Sequence, residues 1–206
     1  MPTALITGCS SGFGLETARL FLSRSWEVIA TMREPQSDLL PSSDRLRLMS
    51  MDICDLASIA RVAESVSQVD ALVNNAGIGA PIPVELTPLE TARQLFETNV
   101  MGTLAVTQAF LPQMRARRSG VIVNVTSMVT MKALPLVGVY SASKAAVNAF
   151  TEFLSLEVEP LGVRVCLVLP GRSPGTSFGA NALKLPSALR HVPNSAEERC
   201  LDATSP

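Results

Sequence analysis

Six short runs rich in β-branched and other apolar residues recur along the chain, at residues 3–7, 27–32, 46–51, 71–74, 121–125 and 163–169. Most are continuous rather than alternating, which is the pattern of strands covered on both faces in a parallel sheet. Helical spacing fills most of the gaps, at 12–23, 56–67, 88–117 and 139–159, with Leu15, Ala18 and Leu22 on one stripe of the first. Thr87-Pro88 reads as a cap followed by a proline in the first helical turn. Between Arg33 and Asp44 two prolines and several serines break the crossover helix, so that stretch is expected to be loop. Strands joined by such crossovers make right-handed βαβ units, and the expected fold class is a single α/β domain built on a doubly wound parallel sheet.

A chain of 206 residues that is 47% hydrophobic can bury one core of ordinary size. Its net charge of −1 offers no basic field for nucleic acid. The one tight basic cluster, Arg115, Arg117 and Arg118, falls where a predicted helix ends and complements the helix dipole there. Cys9, Cys54, Cys166 and Cys200 show no paired spacing, which fits a reducing compartment and suggests no metal site. No leader pattern opens the chain and no apolar run reaches the roughly 18 residues of a membrane span, so a soluble cytoplasmic protein with no integral membrane segment is expected. After Gly171 the composition turns to Ser, Pro, Gly and Ala without sustained periodicity. This divides the chain into a catalytic unit, 1–171, and a divergent tail, 172–206.

The first strand runs straight into "TGCSSGFG", with Gly8, Gly12 and Gly14 opening the first helix. Glycines permit a tight turn and a close backbone approach to a pyrophosphate, whose charge the N–H groups of the helix start can hold. The spacing differs from G-x-G-x-x-G, and glycine turns also serve plain packing. In an open parallel sheet, however, every strand delivers its following loop to one edge. That edge collects residues 7–14, Asn74-Asn75-Ala76-Gly77, Ser127 and Pro170-Gly171, with the helix bearing Tyr140 and Lys144 starting nearby. Taken singly, Ser127 can cap a helix, Asn74 and Asn75 can hold a turn, and Tyr140 can sit at an amphipathic rim. Together those readings require a coincidence, whereas a phenol and an ammonium at i and i+4 can address one pocket.

In these elements the sequence resembles the short-chain dehydrogenase/reductase family, in its single-domain branch. The matching residues are Thr7-Gly8-x-x-x-Gly12-x-Gly14, Asp52, Asn74-Asn75-Ala76-Gly77, Asn99, Ser127, Tyr140-x-x-x-Lys144 and Pro170-Gly171, and their order fits from about Pro2 to Gly171. "ITGCSSGFG" and "VIATMRE" look most like the retinol and hydroxysteroid oxidoreductases of that family. The resemblance implies a Rossmann-type sheet and a hydride passed between a nicotinamide and a carbonyl or alcohol carbon of a small molecule. Tyr140 would be the general acid or base, and Lys144 would favour its phenolate, since a free phenol titrates near pH 10. Ser127 would bind the substrate oxygen, and Asn99 would organise a water-linked proton route through Lys144. Gly8, Ser10, Ser11, Gly12, Phe13 and Gly14 would cradle the dinucleotide, with Asp52, Ile53, Asn75, Ala76 and Gly77 on its adenosine side, and Pro170 and Gly171 closing the site beside Tyr140 and Lys144. Asp52 is equally readable as a plain strand-end residue.

At the end of the second strand Met32 occupies the selecting position and Arg33 follows, which favours a 2′-phosphate and hence NADP(H) over NAD(H). Glu34, past the strand end, is the alternative ribose acceptor. The apolar stretch 128–139 points to a lipophilic substrate, steroid- or retinoid-like, or else to loop packing. The helices at 88–117 and 139–159 resemble the family's dimer-forming pair, so a homodimer or homotetramer is expected. Two departures stand out. Thr176 lies one residue farther from Pro170-Gly171 than the family's pattern, and the sheet is expected to lack its last strand, leaving an unpaired edge. His191 falls in the tail and is given no catalytic role. The abbreviated pattern leaves a catalytically silent nucleotide-binding or interaction module as the alternative, and an epimerase or dehydratase with retained cofactor as a third.

Overall fold

Side-chain alternation along a strand sends neighbouring residues to opposite faces, so a run that is apolar throughout must be covered twice. The computed structural model, which describes residues 1–171 and 182–184, meets that demand at the centre of the sheet and relaxes it at the edges. Strand β1 (Thr3–Thr7) and strand β4 (Ala71–Asn74) are buried at every position, and β2 (Glu27–Met32) at all but the first. Strands β3 (Leu46–Ser50), β5 (Gly120–Val125) and β6 (Val163–Val168) complete a six-stranded parallel sheet in the order β3-β2-β1-β4-β5-β6. In β6 exposed and more buried positions alternate, because only one of its faces is covered among the described residues, and it pairs there only with β5.

Helix α1 (Gly12–Ser23) lies on one face and packs Leu15, Ala18 and Leu22 against Ile6, Val28, Ala30 and Val73. Helices α2 (Leu56–Ser65), α4 (Thr103–Arg117) and α5 (Gly138–Val158) take the other face, around Leu5, Leu72, Val106, Phe110, Met114 and Ile122. Leu5 and Ile6, adjacent in sequence, thus anchor opposite layers, and burying a side chain of this size stabilises by about 1.5–3 kcal/mol. Residues 33–44 hold no helix or strand, as the prolines require; Leu40 is buried and the Leu39 carbonyl accepts from Arg19 Nη2 at 2.9 Å.

The helix expected over 88–117 is divided. Helix α3 (Leu89–Phe96) passes through a π turn (Glu97–Gly102) into α4. Thr87 does not cap it. Pro88 occupies the cap position in extended geometry, and the Thr87 hydroxyl donates to Pro83 O at 2.8 Å. Two members of the basic cluster at the end of α4 make internal ties, while Arg115 is exposed. Arg117 Nη2 donates to Val69 O at 2.8 Å and pairs with Asp70 at 3.7 Å, while Arg118 Nη2 donates to Pro160 O at 2.8 Å.

Polar groups key the covered layer to the sheet. Asn74 and Asn124 are partners in the β4–β5 register, and Asn74 Nδ2 donates to Asn124 Oδ1 at 2.8 Å and to Thr107 Oγ1 of α4 at 3.0 Å. Asn124 Nδ2 donates in turn to Thr151 Oγ1 of α5 at 2.8 Å. All four residues are buried, so losing one partner strands the others. Asn124→Ala is expected to lower unfolding free energy by about 2–3 kcal/mol in urea titrations; a loss under about 0.5 kcal/mol would show the ladder to be incidental.

Candidate active site

Sheet order reverses between β1 and β4, and the chain leaving those two strands is tied together by side chains. Thr7 Oγ1 accepts from the backbone N–H groups of Asn75 at 3.0 Å and Ala76 at 2.9 Å, while Asn75 Nδ2 donates to Thr7 O at 3.0 Å and Gly8 O at 3.2 Å. Asn75 therefore shapes the glycine turn through its amide. Gly8 has a φ of +73°, and a Cβ there would meet Ala76 Cα at 2.8 Å. Gly14 is buried, and a Cβ on it would strike the Gly8 carbonyl and meet Asn75 Nδ2 at 2.5 Å. It packs helix to strand and, unlike its neighbours, does not line the cleft.

That cleft has a volume of about 1960 Å³, well above the ~300–1,000 Å³ of an ordinary small-ligand pocket. It has room for an extended dinucleotide and a second molecule. Gly8, Ser10, Ser11, Gly12 and Phe13 line one end with Arg33, Asp52 and Ile53; Asn75, Ala76 and Gly77 form the middle; Ser127, Tyr140, Lys144, Pro170 and Gly171 line the other end. Ser11 stands at the N-cap of α1 without a side-chain cap bond, and no acidic residue occupies the first turn, so the helix start turns free N–H donors toward an anion. The donor set fits a pyrophosphate. Arg33 is exposed and lines the cleft beside Met32, whereas Glu34 does not reach it. Asp52 Oδ1 accepts from Cys54 N at 2.9 Å, so the carboxylate braces its own turn as well as facing the cleft.

Asn99 is fully buried behind this wall. Its Oδ1 accepts from Ile78 N at 2.9 Å, and its Nδ2 donates to Ile78 O at 2.9 Å and Ser143 Oγ at 3.0 Å. Both amide hydrogens are engaged, so Asn99 acts on the site by clamping the chain after Gly77 to α5. Ser143 passes the tie on by donating to Tyr140 O at 2.7 Å. Lys144 Nζ donates to Val125 O at 3.1 Å and lies beside Gly77. The Tyr140 phenol is buried against Ala80, Ile82 and Leu95 and hydrogen-bonds the Ser127 side chain. Ser127 also caps the short 3₁₀ turn Met128–Thr130, accepting from Val129 N at 3.4 Å, so the capping reading holds while the residue lines the cleft.

Charge state departs from expectation. Burial pushes the Tyr140 phenol above its ordinary value of 10, and the Ser127 hydrogen bond pulls it back only in part. Burial also draws the Lys144 ammonium down from 10.5 to about 8. The protein alone therefore does not make the phenolate easy, because the lysine meant to supply the charge is itself desolvated.

Sequence reasoning placed Thr7 in the glycine motif without its role as an acceptor, and missed Asn124, Ser143 and Thr151. Asn124 had a readable signal, an amide inside an otherwise apolar strand, which must find a buried partner. Thr176, His191 and Cys200 lie outside the described residues, as does most of the 172–206 tail; within it Leu183 N donates to Gly79 O at 2.7 Å and Ala182 lines the cleft. Cys9, Cys54 and Cys166 are free thiols. Among the described residues no group of His, Cys, Asp and Glu could hold a metal ion, and no helix is long and apolar enough to cross a membrane.

The family model for "short chain dehydrogenase" matches residues 2–182. A 3-ketodihydrosphingosine reductase from Bacteroides thetaiotaomicron is 37% identical over 171 residues, covering 81% of this chain and 62% of its own length. A 3-ketoacyl-(acyl-carrier-protein) reductase from Brucella melitensis, solved with NADH, superposes with a TM-score of 0.82 at 28% identity over 88% of this chain and 80% of that one. The closed form of a serine dehydrogenase complexed with NADP+ gives 0.82 at 30% identity over 87% and 76%. The chain spans 53–64% of the length of the first curated relatives it matches.

The lysine allows a test of burial. Between pH 8 and 10.5 the unfolded chain holds a proton on Lys144 that the folded chain has released, so the folded state carries a penalty that is full below pH 8 and fades as pH rises through that window. Lys144→Met removes the penalty. The melting temperature of the variant should exceed that of wild type at pH 7, and the gap should narrow by pH 9.5; Cys9, pushed up to about 12 by burial, titrates alike in both proteins and cancels. A gap independent of pH would show that Lys144 is not desolvated.

Proposed function

The chain belongs to the short-chain dehydrogenase family, and from that premise we propose that it is an NADP(H)-dependent oxidoreductase acting on a carbonyl or on a secondary or primary alcohol. One observation carries the reading: a phenol hydrogen-bonded to a serine hydroxyl, one helical turn from a buried lysine, stands in the same cleft as an open helix start and glycine turn. Bound nicotinamide would supply the hydride donor or acceptor. Tyr140 moves the proton at the substrate oxygen, Ser127 orients that oxygen, and Lys144 favours the phenolate and holds the nicotinamide ribose. Asn99 keeps Ile78 and α5 in register. Gly8, Ser10, Ser11, Gly12 and Phe13 receive the pyrophosphate, while Asp52, Ile53, Asn75, Ala76 and Gly77 bound the adenosine side and Pro170 and Gly171 the nicotinamide side.

Arg33 supports NADP(H). It is a cation at the end of β2, on the cleft wall, where a 2′-phosphate would need one. Met128, Val129, Leu134 and Val137 give the far end an apolar wall, which supports a lipophilic substrate of steroid- or retinoid-like bulk, and the likeness to a protein named for a long-chain keto substrate points the same way. We assign residues 1–171 to the catalytic unit and 172–206 to the substrate loop and tail, with the Leu183 contact at the cleft rim in support. Phe153 and Leu156, 69% and 70% exposed on α5, support a homo-oligomer formed through that helix.

Two measurements test the proposal. Tyr140→Phe should abolish NADPH turnover across a panel of ketones and aldehydes while leaving NADPH affinity within about twofold, and Arg33→Ala should weaken NADPH by about 10- to 100-fold with little effect on NADH. Retained turnover would remove Tyr140 from the chemistry, and equal losses for both cofactors would remove Arg33 from selection. Leu156→Glu should halve or quarter the particle mass in light scattering; an unchanged mass would place the interface elsewhere.

A further inference from the structure

Helix α5 touches the end of β5 and the loop that follows it at four successive turns. Thr151 receives Asn124 Nδ2 at 2.8 Å, Lys144 Nζ reaches Val125 O at 3.1 Å, Tyr140 bonds the Ser127 side chain, and Asn148 Nδ2 donates to Thr130 Oγ1 at 3.0 Å. Tyr140, Lys144 and Asn148 stand at i, i+4 and i+8 and so share one helix face. The first two are accounted for by the proposed reaction. Asn148 is not.

Its amide orientation follows from its neighbour. Thr130 Oγ1 gives its single proton to Ser127 O at 2.9 Å, so it can only accept from Asn148, and the Nδ2 end must face it. Asn148 Oδ1 is then left buried with no hydrogen-bond partner. An unmet buried acceptor destabilises a fold, and leucine at this site would avoid the cost. What the amide contributes is directional: Asn148 holds Thr130, and Thr130 holds the Ser127 carbonyl. Ser127 needs that hold, since its hydroxyl is bound to its own turn only by a 3.4 Å contact from Val129 N. On the opposite side the loop is tied to the sheet end by Met128 N to Pro170 O at 3.0 Å, which fixes height but not approach to α5.

We propose that Asn148 is a positioning residue for the reaction, setting the Ser127 hydroxyl against the Tyr140 phenol through Thr130. The inference rests on the oxidoreductase reading of the cleft for its effect on turnover, but its geometric core can be measured without any substrate. The chain contains one tyrosine, so the rise of phenolate absorbance on alkaline titration reports Tyr140 alone. Other charges lining the cleft are Lys144 on the same helix, Lys132 on the Ser127 loop, Glu90, Arg93 and Glu97 from α3 and the π turn, and Arg33 and Asp52 at the glycine-turn end; none is altered in the variants.

Asn148→Leu and Thr130→Val are each expected to raise the Tyr140 titration midpoint, because a displaced Ser127 no longer supports the phenolate. The double variant should raise it no further than either single change. Circular dichroism run in parallel should show a folded protein, with Asn148→Leu melting at or above the wild-type temperature. Turnover should fall about 10- to 100-fold with NADPH affinity unchanged. A raised midpoint in protein that turns over no substrate in any form would uphold the clamp and overturn the oxidoreductase reading. A wild-type midpoint in both single variants would overturn the clamp, whatever the turnover, and so would full turnover in Asn148→Leu when wild type is active. If Asn148→Leu fails to fold, Thr130→Val alone decides by the same criteria.

Discussion

An amide buried between parallel strands has no water to turn to, and the arrangement of this protein follows from how the nitrogen of Asn74 meets that demand, while its Oδ1 stays buried without a partner. One nitrogen reaches both the neighbouring strand at Asn124 and the helix above at Thr107, and Asn124 hands the connection on to Thr151. Apolar packing alone would let α4 and α5 slide over a surface of Leu, Ile and Val with little change in energy. Directional bonds remove that freedom. The helix bearing Asn148, Tyr140 and Lys144 is therefore seated in one register on the sheet whose strand ends form the cleft.

The same burial that gives the site its order sets its resting electrostatics. Burial weakens both charged forms in the protein alone: the phenol is pushed above its ordinary value, and the Lys144 ammonium, drawn down to about 8, keeps its proton at neutral pH but by a narrower margin. An additional positive charge in the cleft would reverse the balance for the phenol, and an oxidised nicotinamide carries one. In this view chemical readiness belongs to the loaded cleft rather than to the polypeptide.

Much of this was legible in the residues. Continuous β-branched runs identified the central strands, because only a doubly covered strand can afford them, and the Gly8–Gly14 turn, Asn75, Ser127, Tyr140 and Lys144 converge as parallel connectivity requires. What escaped were effects with no local signature. A π turn inside a regular helical pattern carries no composition cue, and a proline after a threonine reads as a cap until the threonine turns back to Pro83. Thr7, Ser143 and Asn148 are ordinary polar residues in sequence, and their work depends on partners between 3 and 69 positions away. Asn99 stood out in the motif, but its bonds did not, since only the fold shows that Ile78 takes up its amide.

The contacts of α5 give the loop after β5 an unusual inheritance. A surface loop ordinarily wanders on its own timescale, and groups mounted on it lose their mutual spacing. Here the loop is indexed against a rod through Ser127 and Thr130, so its spacing from Tyr140 and Asn148 is set by helical pitch. The exposed outer residues of the loop, Met128, Met131 and Leu134, can therefore change to suit new ligands without moving its anchored end.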